Sequence, residues 1–307
     1  MEQKNFTVGN SDKKTRLDKY LVAKLPKFSR SFLQNLIRKK EVIVNGMIFG
    51  AADKVKNGDK ISITLNEPSK ISLKPESDIK LNIIHENENY LITNKPSGIV
   101  VHPSQSTPTH TLINGLIAYY PRIITVGDDP KRPGIVHRLD KDVSGIMVIA
   151  KNQKTFEHLK ILFKNRKVKK KYTALVYGKI VPQNGKISAP IGRSKSKPNR
   201  MSVKRVGDGR EAITLYKTIK EYQNYSLLEI ETKTGRTHQI RVHLLSKGNP
   251  IVGDTIYYLK KAKNNRELDR IFLHAHSIQF TDMNDNLLKF RADIPKNLKQ
   301  FLAQLTK

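Results

Sequence analysis

The residues best suited to chemistry lie in one stretch of the sequence, between Gly134 and Lys151. Two apolar, strand-like runs, 135–136 and 146–150, flank a polar segment that is interrupted only by Leu139. Such a pattern predicts a tight charged loop between buried elements, and rigid flanks hold the side chains of a loop in fixed positions. The polar and charged positions of this loop are His137, Arg138, Asp140, Lys141 and Asp142.

Asp140 is the candidate reactive group of the loop. Arg138 and Lys141 bracket it, and neighbouring cations favour an ionised carboxylate. An ionised and positioned aspartate can act as a nucleophile or as a general base. An Asp between Arg and Lys in a turn is also typical of a surface ion pair, so composition alone leaves both interpretations open.

Two other chemistries fit parts of this pattern. A kinase catalytic loop places Asp directly after His-Arg and needs a Gly-rich loop and a later Asp-Phe-Gly, which this sequence lacks. A metal-dependent nuclease would lose its activity in EDTA. Its ligands would come from Asp140, Asp142, Asp254, His137, His274 and His276.

The net charge indicates a polyanionic partner. Lys and Arg total 57 against 27 Asp and Glu, which gives a formal charge of +30 at pH 7. Nucleic acid and an anionic membrane surface are the candidates. No apolar run approaches the roughly 20 residues that span a bilayer, and the charge is clustered at 30–40, 164–171 and 193–205. We therefore expect a nucleic-acid partner and no membrane association.

The sequence contains no cysteine. This excludes disulfides, thiolate catalysis and cysteine-ligated zinc or iron–sulfur sites. The first residues, Met1 to Asn5, include no apolar stretch of the kind found in a secretory signal. Both observations favour the cytoplasm.

Residues 1–75 are predicted to form a small α/β domain and a linker. A helix begins near Thr15, and Ser29 is a suitable N-cap for a second helix whose apolar stripe leaves basic residues outside it. Strands are predicted at 41–44 and 60–65, and residues 66–78 have linker composition. This order of elements resembles an RNA-binding domain of the ribosomal-protein-S-four type, although a minor subdomain with a solvated basic helix is the alternative. The expected RNA contacts are Arg30, Arg38 and Lys39.

Residues 76–307 are predicted to form a second, α+β domain with a mixed, largely antiparallel sheet. Short runs rich in Val and Ile predict strands, and two segments predict helices, at 155–163 and 238–245. The predicted strands are 90–94, 99–101, 146–150, 172–177 and 227–231.

Several motifs of this domain resemble one enzyme family. The segment from His137 to Lys151 is similar to the signature of the RluA/RluC/RluD-type pseudouridine synthases. Four further segments agree with that family in the same order, and the RluD-like branch is favoured. They are 94–103, 169–178, 235–244 and 248–254.

The resemblance implies a role for each of four residues in these segments. Asp140 would be catalytic, Tyr172 would stack on the target base, Arg241 would pair with Asp140, and Arg138 would displace the target nucleotide from its helix. Three roles are open to Asp140: attack on the base, attack on the ribose, or abstraction of a proton to give a glycal-like intermediate. The Lys95-Pro96 and Gly253-Asp254 segments would shape the pocket walls. Further RNA contacts are expected from His137, Arg236, Arg193 and Arg200.

The segment 192–201, which contains Arg193 and Arg200, resembles the RNA-contacting hairpin of the family, although a flexible charged loop accounts equally well for its composition. The implied activity is isomerisation of uridine to pseudouridine by base flipping, in structured RNA such as large-subunit rRNA. It involves no net redox change or hydrolysis, so we expect no cofactor and no metal, and we expect a monomer. The alternative from another class is a non-catalytic RNA-binding ribosome-assembly factor that retains the fold.

Overall fold

The computed structural model describes residues 2–26, 28, 30–65, 73–104, 107–194, 196–197, 200–259 and 268–306. The chain divides into two compact units, Met1–Lys70 and Ile71–Lys307. The proposed N-cap Ser29 and residues 66–72 of the predicted linker lie outside the described residues.

The first unit packs two helices on a four-stranded antiparallel sheet. Helix α2 presents Leu33 and Ile37 to the core, and its basic residues lie outside that stripe, as predicted. The strands have the order β1-β4-β2-β3. The elements are β1 (Glu2–Thr7), α1 (Leu17–Lys24), α2 (Arg30–Arg38), β2 (Val42–Val44), β3 (Met47–Ile48) and β4 (Lys60–Leu65).

The second unit is built on a nine-stranded mixed sheet. Eight strands follow the order β5-β6-β7-β14-β8-β13-β12-β9, and β15 pairs with β14. Its strands are β5 (Ile83–Glu86), β6 (Tyr90–Lys95), β7 (Ser144–Ala150), β8 (Lys169–Tyr177), β9 (Asn184–Ser188), β12 (Ile213–Glu221), β13 (Tyr225–Thr232), β14 (Leu273–Thr281) and β15 (Leu287–Arg291). A separate hairpin joins β10 (Ile191–Arg193) and β11 (Met201–Val203).

Strand β14 lies between β7 and β8. It pairs with β7 in parallel, while the other pairings among the described strands of this sheet are antiparallel. The α+β class and the largely antiparallel sheet are therefore confirmed. Strand β7, which follows the Asp140 loop, is therefore separated from β8, which carries Tyr172, by the single strand β14.

The helices of this unit are α3 (Leu112–Tyr119), α4 (Gln153–Lys164), α5 (Gln239–Ser246) and α6 (Lys296–Gln304), with a 3-10 helix at Pro121–Thr125. The predictions for 155–163 and 238–245 are confirmed within two residues at each end by α4 and α5. None of the helices in the described part of the chain is long and apolar enough to cross a membrane.

Two predicted strands are wrong. Residues 99–101 contribute only a single bridge, between Val100 and Thr111, and the run before the Asp140 loop contributes only one, between Ile135 and Ile149. In the second case the chain turns at Gly134, which has a φ of +70°. The turn permits one residue to pair with β7 before the chain leaves the sheet, so apolar composition here reflects burial and not strand pairing.

Candidate active site

The Asp140 loop is held by the segment that follows β6. The buried Lys95 Nζ donates to three carbonyl oxygens, including that of Lys141 at 3.1 Å. The Gly98 N–H also donates to the Lys141 carbonyl, at 2.9 Å, and Ser97 Oγ donates to the Asp142 carbonyl at 2.6 Å. Burial lowers the pKa of Lys95 to about 7, although Asp140 and Asp142 act in the opposite direction. The segment thus fixes the backbone immediately after Asp140.

Close packing of β7 on β14 fixes the other side of the loop. A Cβ at Gly145 would lie 2.3 Å from the Ala275 carbonyl oxygen, and Gly145 has a φ of +130°. Only glycine accommodates both conditions. The neighbouring Ser144 Oγ accepts from Arg270 at 2.6 Å and contacts His274 Nδ1 at 2.9 Å. The loop is therefore attached at a rigid point of the sheet.

Asp140, Tyr172 and Arg241 line one cavity of about 570 Å³. The loop contributes one wall, the end of α4 and the start of β8 a second, and the segment from Thr232 to Arg241 a third. The remaining lining residues are Val136, His137, Arg138, Leu139, Val143, Lys160, Phe163, Lys164, Arg166, Lys170, Thr232, Lys233, Thr234, Gly235, Arg236, Thr237, His238, Gln239, Ile240 and Leu273.

Arg241 contacts two carboxylates. Its Nε and Nη2 donate to the two oxygens of Asp254, each at 2.7 Å, whereas its Nη1 lies 3.4 Å from Asp140 Oδ2. Burial alone would lower the pKa of Arg241, but Asp254 and Asp140 outweigh it and raise that pKa above its ordinary value. The predicted pair of Arg241 with Asp140 is present, and Asp254 is the closer partner.

Asp254 orients Arg241, a role that was not predicted from the sequence. Its side chain is fully buried, and its Oδ1 also accepts the backbone N–H groups of Ile256 and Tyr257, each at 2.9 Å. A bidentate pair of this kind fixes the plane of the guanidinium. The only signal in the sequence was the Gly253-Asp254 turn, which was predicted to shape a wall of the pocket.

The six residues proposed as ligands of a metal-dependent nuclease do not form a candidate metal site in the described part of the chain. Asp254 is occupied by Arg241, and the ring of His274 contacts Ser144 Oγ and the Ala292 carbonyl. Among the described residues, the group with the geometry of a metal site is Glu76, Asp78 and His110, which shares no member with the nuclease set.

His238 is a further neighbour of Asp140 that was not predicted. Its Nε2 lies 3.8 Å from Asp140 Oδ2, and its Nδ1 lies 2.8 Å from the hydroxyl oxygen of Tyr257. The residue precedes α5 in a left-handed conformation, with a φ of +56°. Burial lowers the pKa of His238, and the charge of Asp140 opposes that shift.

Tyr172 faces the cavity from β8, where it pairs with Ile230 of β13 and Ala275 of β14. Burial raises the pKa of Tyr172 to about 12. The ring is therefore neutral at physiological pH and presents an aromatic surface close to Asp140.

Arg138 and His137 differ in their exposure and in the contacts that they make. Arg138 is exposed at the cavity, with its side chain available for a ligand. His137 Nε2 accepts the Val148 N–H at 3.1 Å, and its ring stacks on Phe163 at 4.7 Å. Burial lowers the pKa of His137 to about 3. His137 is thus an uncharged wall of the cavity, so any contact it makes with RNA would not be that of a cation.

Several basic residues line the cavity. Arg166 pairs with Glu211 at 2.6 Å, and Arg236 Nε donates to the Glu211 carbonyl at 2.9 Å. Lys164 and Lys170 line the cavity from α4 and β8, and Lys170 lies over the ring of Phe163. The charge cluster at 164–171 in the sequence therefore borders the Asp140 site, a position that the sequence alone did not indicate.

The remaining predicted RNA contacts lie outside this cavity. Arg193 is exposed on β10, and the guanidinium of Arg200 lies over the rings of Tyr257 and Tyr258. At the two ends of the predicted segment 192–201, β10 and β11 pair in antiparallel fashion, while residues 195, 198 and 199 lie outside the described residues.

In the first unit Arg30 donates to the buried Asp18 at 2.8 Å, which Arg16 and Gln34 also contact. Arg30 is thus part of a structural ion pair as well as half exposed. Arg38 and Lys39 are exposed at the end of α2, where a polyanion could reach them.

The sequence matches the RNA pseudouridylate synthase family over residues 89–246 and the S4 domain over residues 15–61. It is 36% identical over 308 residues to the "uncharacterized RNA pseudouridine synthase YlyB" of Bacillus subtilis, covering all of this chain and 99% of that protein. It is 36% identical over 302 residues to "ribosomal large subunit pseudouridine synthase D" of Haemophilus ducreyi, covering 94% of this chain and 90% of that protein.

Among solved structures, human "RNA pseudouridylate synthase domain containing 1" matches with a TM-score of 0.61 and 25% identity, over 76% of this chain and 91% of that chain. These matches agree with the fold and with the order of the motifs around the cavity. The chain belongs to the RNA pseudouridylate synthase family and is an enzyme of the isomerase class.

Proposed function

We propose that this enzyme isomerises uridine in large-subunit ribosomal RNA, with Asp140 acting on the glycosidic bond of a flipped nucleotide in the cavity. One observation carries the proposal: a carboxylate, an aromatic ring and an arginine from three distant parts of the sequence line the same cavity. The reaction detaches uracil from its ribose carbon, turns it, and joins it again through carbon 5. Asp140, Tyr172 and Arg241 are the groups we assign to it.

The burial of the site supports this assignment. The side chain of Asp140 is 18% exposed and that of Arg241 is 3% exposed, so the carboxylate reaches the cavity while its cationic partner stays inside the protein. A cavity of about 570 Å³ falls within the range of small-molecule sites and has room for a base and its ribose. Charges in such a site act more strongly than they do in water.

Base flipping would bring the glycosidic bond of the target uridine into the cavity, where Asp140 can reach it. Extruding a base from a helix costs a few kcal/mol, and stacking on an aromatic ring recovers about 1–3 kcal/mol. Tyr172 offers such a ring, and Arg138, which is exposed at the cavity, would occupy the gap left in the RNA. The basic residues that line the cavity, including Lys164 and Lys170, would hold the phosphates on either side.

The substrate class rests on relatives and on charge. A relative that aligns with nearly the whole chain is named as a large-subunit enzyme. The formal charge of +30 suits a large RNA, and the S4 domain adds a second RNA-binding unit with Arg38 and Lys39 exposed. We further propose that the enzyme acts as a monomer in the cytoplasm.

Tritium release tests the activity. Protein incubated with RNA labelled at uridine carbon 5 should release tritium, because carbon 5 loses its hydrogen when it joins the ribose. Asp140→Asn should abolish release while the variant still binds RNA, and Asp142→Asn in the same loop is the matched control. Absence of release by the wild-type protein on total rRNA would refute the proposal.

Mapping identifies the substrate. Pseudouridines in rRNA from cells with and without this protein should differ at one or a few positions of the large subunit. A difference confined to transfer RNA, or to the small subunit, would refute the assignment to large-subunit RNA and leave the activity itself intact.

A further inference from the structure

Tyr257 joins three parts of the structure around the Asp140 site. Its hydroxyl oxygen accepts the Met201 N–H at 2.8 Å and lies 2.8 Å from His238 Nδ1. Its ring lies under the Arg241 guanidinium, 5.0 Å from the ring centre. The side chain is buried, and burial raises the pKa of Tyr257, so its hydroxyl keeps its proton.

The donors and acceptors around Tyr257 favour one arrangement of these hydrogen bonds. The Met201 N–H can only donate, so it occupies one acceptor position of the tyrosine oxygen. The hydroxyl can donate its own proton to His238 Nδ1, the other polar atom that it contacts among the described residues. A neutral imidazole that accepts at Nδ1 carries its own proton at Nε2. That nitrogen is the one 3.8 Å from Asp140 Oδ2.

We propose that Tyr257 is a positioning residue for the reaction: it holds His238 in the tautomer that directs an Nε2–H group at the Asp140 carboxylate. The inference rests on the proposed function of Asp140. His238 then provides a second donor to the carboxylate beside Arg241. Shortening the 3.8 Å separation by less than 1 Å creates a hydrogen bond.

The backbone of His238 is consistent with a functional constraint. A left-handed conformation at a residue other than glycine is uncommon and is maintained only when the surroundings enforce it. Here Gln239 supplies part of that enforcement, because its Oε1 accepts the Arg236 N–H at 3.0 Å and the Thr234 hydroxyl at 2.7 Å. The conformation directs the imidazole of His238 into the cavity, between Tyr257 and Asp140.

Steady-state kinetics with Tyr257→Phe test the proposal, because this change removes the hydroxyl and retains the ring under Arg241. We expect kcat for tritium release to fall by about 10- to 100-fold, as for a small displacement of a reacting group, while KM for RNA stays within about twofold. Tyr222→Phe, at another buried tyrosine outside the cavity, is the control for loss of a hydroxyl and should leave both constants unchanged.

A double-mutant cycle tests whether Tyr257 acts through His238. His238→Gln should lower kcat, and adding Tyr257→Phe to it should have no further effect, since the histidine that the hydroxyl positions is already absent. The proposal would be overturned if the losses in kcat of the two single variants multiplied in the double variant. An unchanged kcat in Tyr257→Phe would overturn it as well.

Long-range proton–nitrogen NMR of the histidine rings tests the tautomer without any activity. The His238 signals are assigned by their absence in His238→Gln. We expect a protonated Nε2 and a bare Nδ1 in the wild-type protein, and a shift toward the Nδ1–H form in Tyr257→Phe. A wild-type Nδ1–H tautomer would overturn the inference. A protein that has the expected tautomer but releases no tritium would instead refute the proposed function.

Discussion

The guanidinium of Arg241 lies between two carboxylates, 2.7 Å from Asp254 and 3.4 Å from Asp140. The shorter, bidentate pair holds the arginine in place, and the longer contact leaves the Asp140 carboxylate accessible to a ligand in the cavity. An arginine fixed by a partner that takes no part in the reaction needs no reorganisation when charge develops at the site. The candidate site is therefore preorganised by Asp254, whose side chain is fully buried and does not line the cavity.

Asp254→Asn should reduce both stability and activity. The amide oxygen can still accept the two backbone N–H groups, but the buried Arg241 loses its closest negative charge. Removing one partner of a buried ion pair typically costs about 3–5 kcal/mol, and we expect kcat to fall by about 10-fold or more. Urea unfolding and tritium release measure the two effects. Asp293→Asn, at a side chain that is 95% exposed, is the control. A wild-type kcat in Asp254→Asn would contradict this account of Arg241.

Arg138→Ala should matter most when the target uridine is stacked. The loss in kcat/KM should be larger on a stem-loop than on an unpaired oligonucleotide of the same sequence, because only the first must be opened at a cost of a few kcal/mol. Lys141→Ala removes an exposed cation from the same loop and is the control. Equal losses on the two RNAs would exclude a role for Arg138 in flipping.

Tyr172 should act through its ring. Tyr172→Leu removes the stacking surface and should weaken the reaction by about 1–3 kcal/mol, or roughly 5- to 150-fold in kcat/KM. Tyr172→Phe keeps the ring and should retain most of the activity. If the phenylalanine variant were as impaired as the leucine variant, the hydroxyl and not the ring would carry the function.

The second unit should lose stability in mild acid. Burial lowers the pKa of His102 and of His274 to about 4, against about 6.5 in an unfolded chain. Between these values the unfolded chain binds more protons, so stability is retained above pH 6.5 and lost as the pH falls toward 4. Each histidine should reduce the free energy of unfolding by about 2 kcal/mol between pH 7 and pH 5.

Near-ultraviolet circular dichroism in urea measures this loss, since every tyrosine of the chain except Tyr20 lies in the second unit. His102→Asn is the matched variant, and its loss between pH 7 and pH 5 should be smaller by one histidine's contribution. Identical pH dependence in the two proteins would show that His102 is not held neutral by burial.

Deletion of residues 1–70 should weaken RNA binding and leave the second unit folded. Each unit has its own buried core, so we expect the second unit to fold without the first. The logarithm of affinity should fall less steeply with the logarithm of salt concentration, by about 0.7 to 0.9 for each phosphate that the truncated protein no longer binds. An unchanged salt dependence would mean that Arg38 and Lys39 do not contact phosphate.

Much of the candidate site could be predicted from the sequence. The loop with Asp140, the strand with Tyr172 and the helix with Arg241 were each identified, and the three side chains line one cavity. Each was identified because the neighbouring residues of its segment also resemble the motifs of the pseudouridine synthase family. Helices α4 and α5 were predicted because a helix depends on periodicity within its own segment.

The partners of these residues could not be predicted, for a physical reason. Asp254 lies more than a hundred positions after Asp140, and His238, which lies 3.8 Å from Asp140, has a left-handed backbone conformation immediately before α5. Contacts of this kind depend on how distant segments pack, which local patterns do not encode. The strand predicted at Ile135 is wrong for the same reason. Packing against neighbouring elements favours apolar residues whether or not the backbone pairs with another strand.

The central position of β14 has a consequence for when the enzyme becomes active. This strand, residues 273–281, separates β7 from β8 and supplies Leu273 to the cavity. On a ribosome that is still translating the message, Asp140 and Tyr172 emerge long before the strand that sets the spacing between them. We expect a nascent chain to bind RNA through its first unit while it is still unable to modify a uridine, and to gain that ability only near the end of its synthesis.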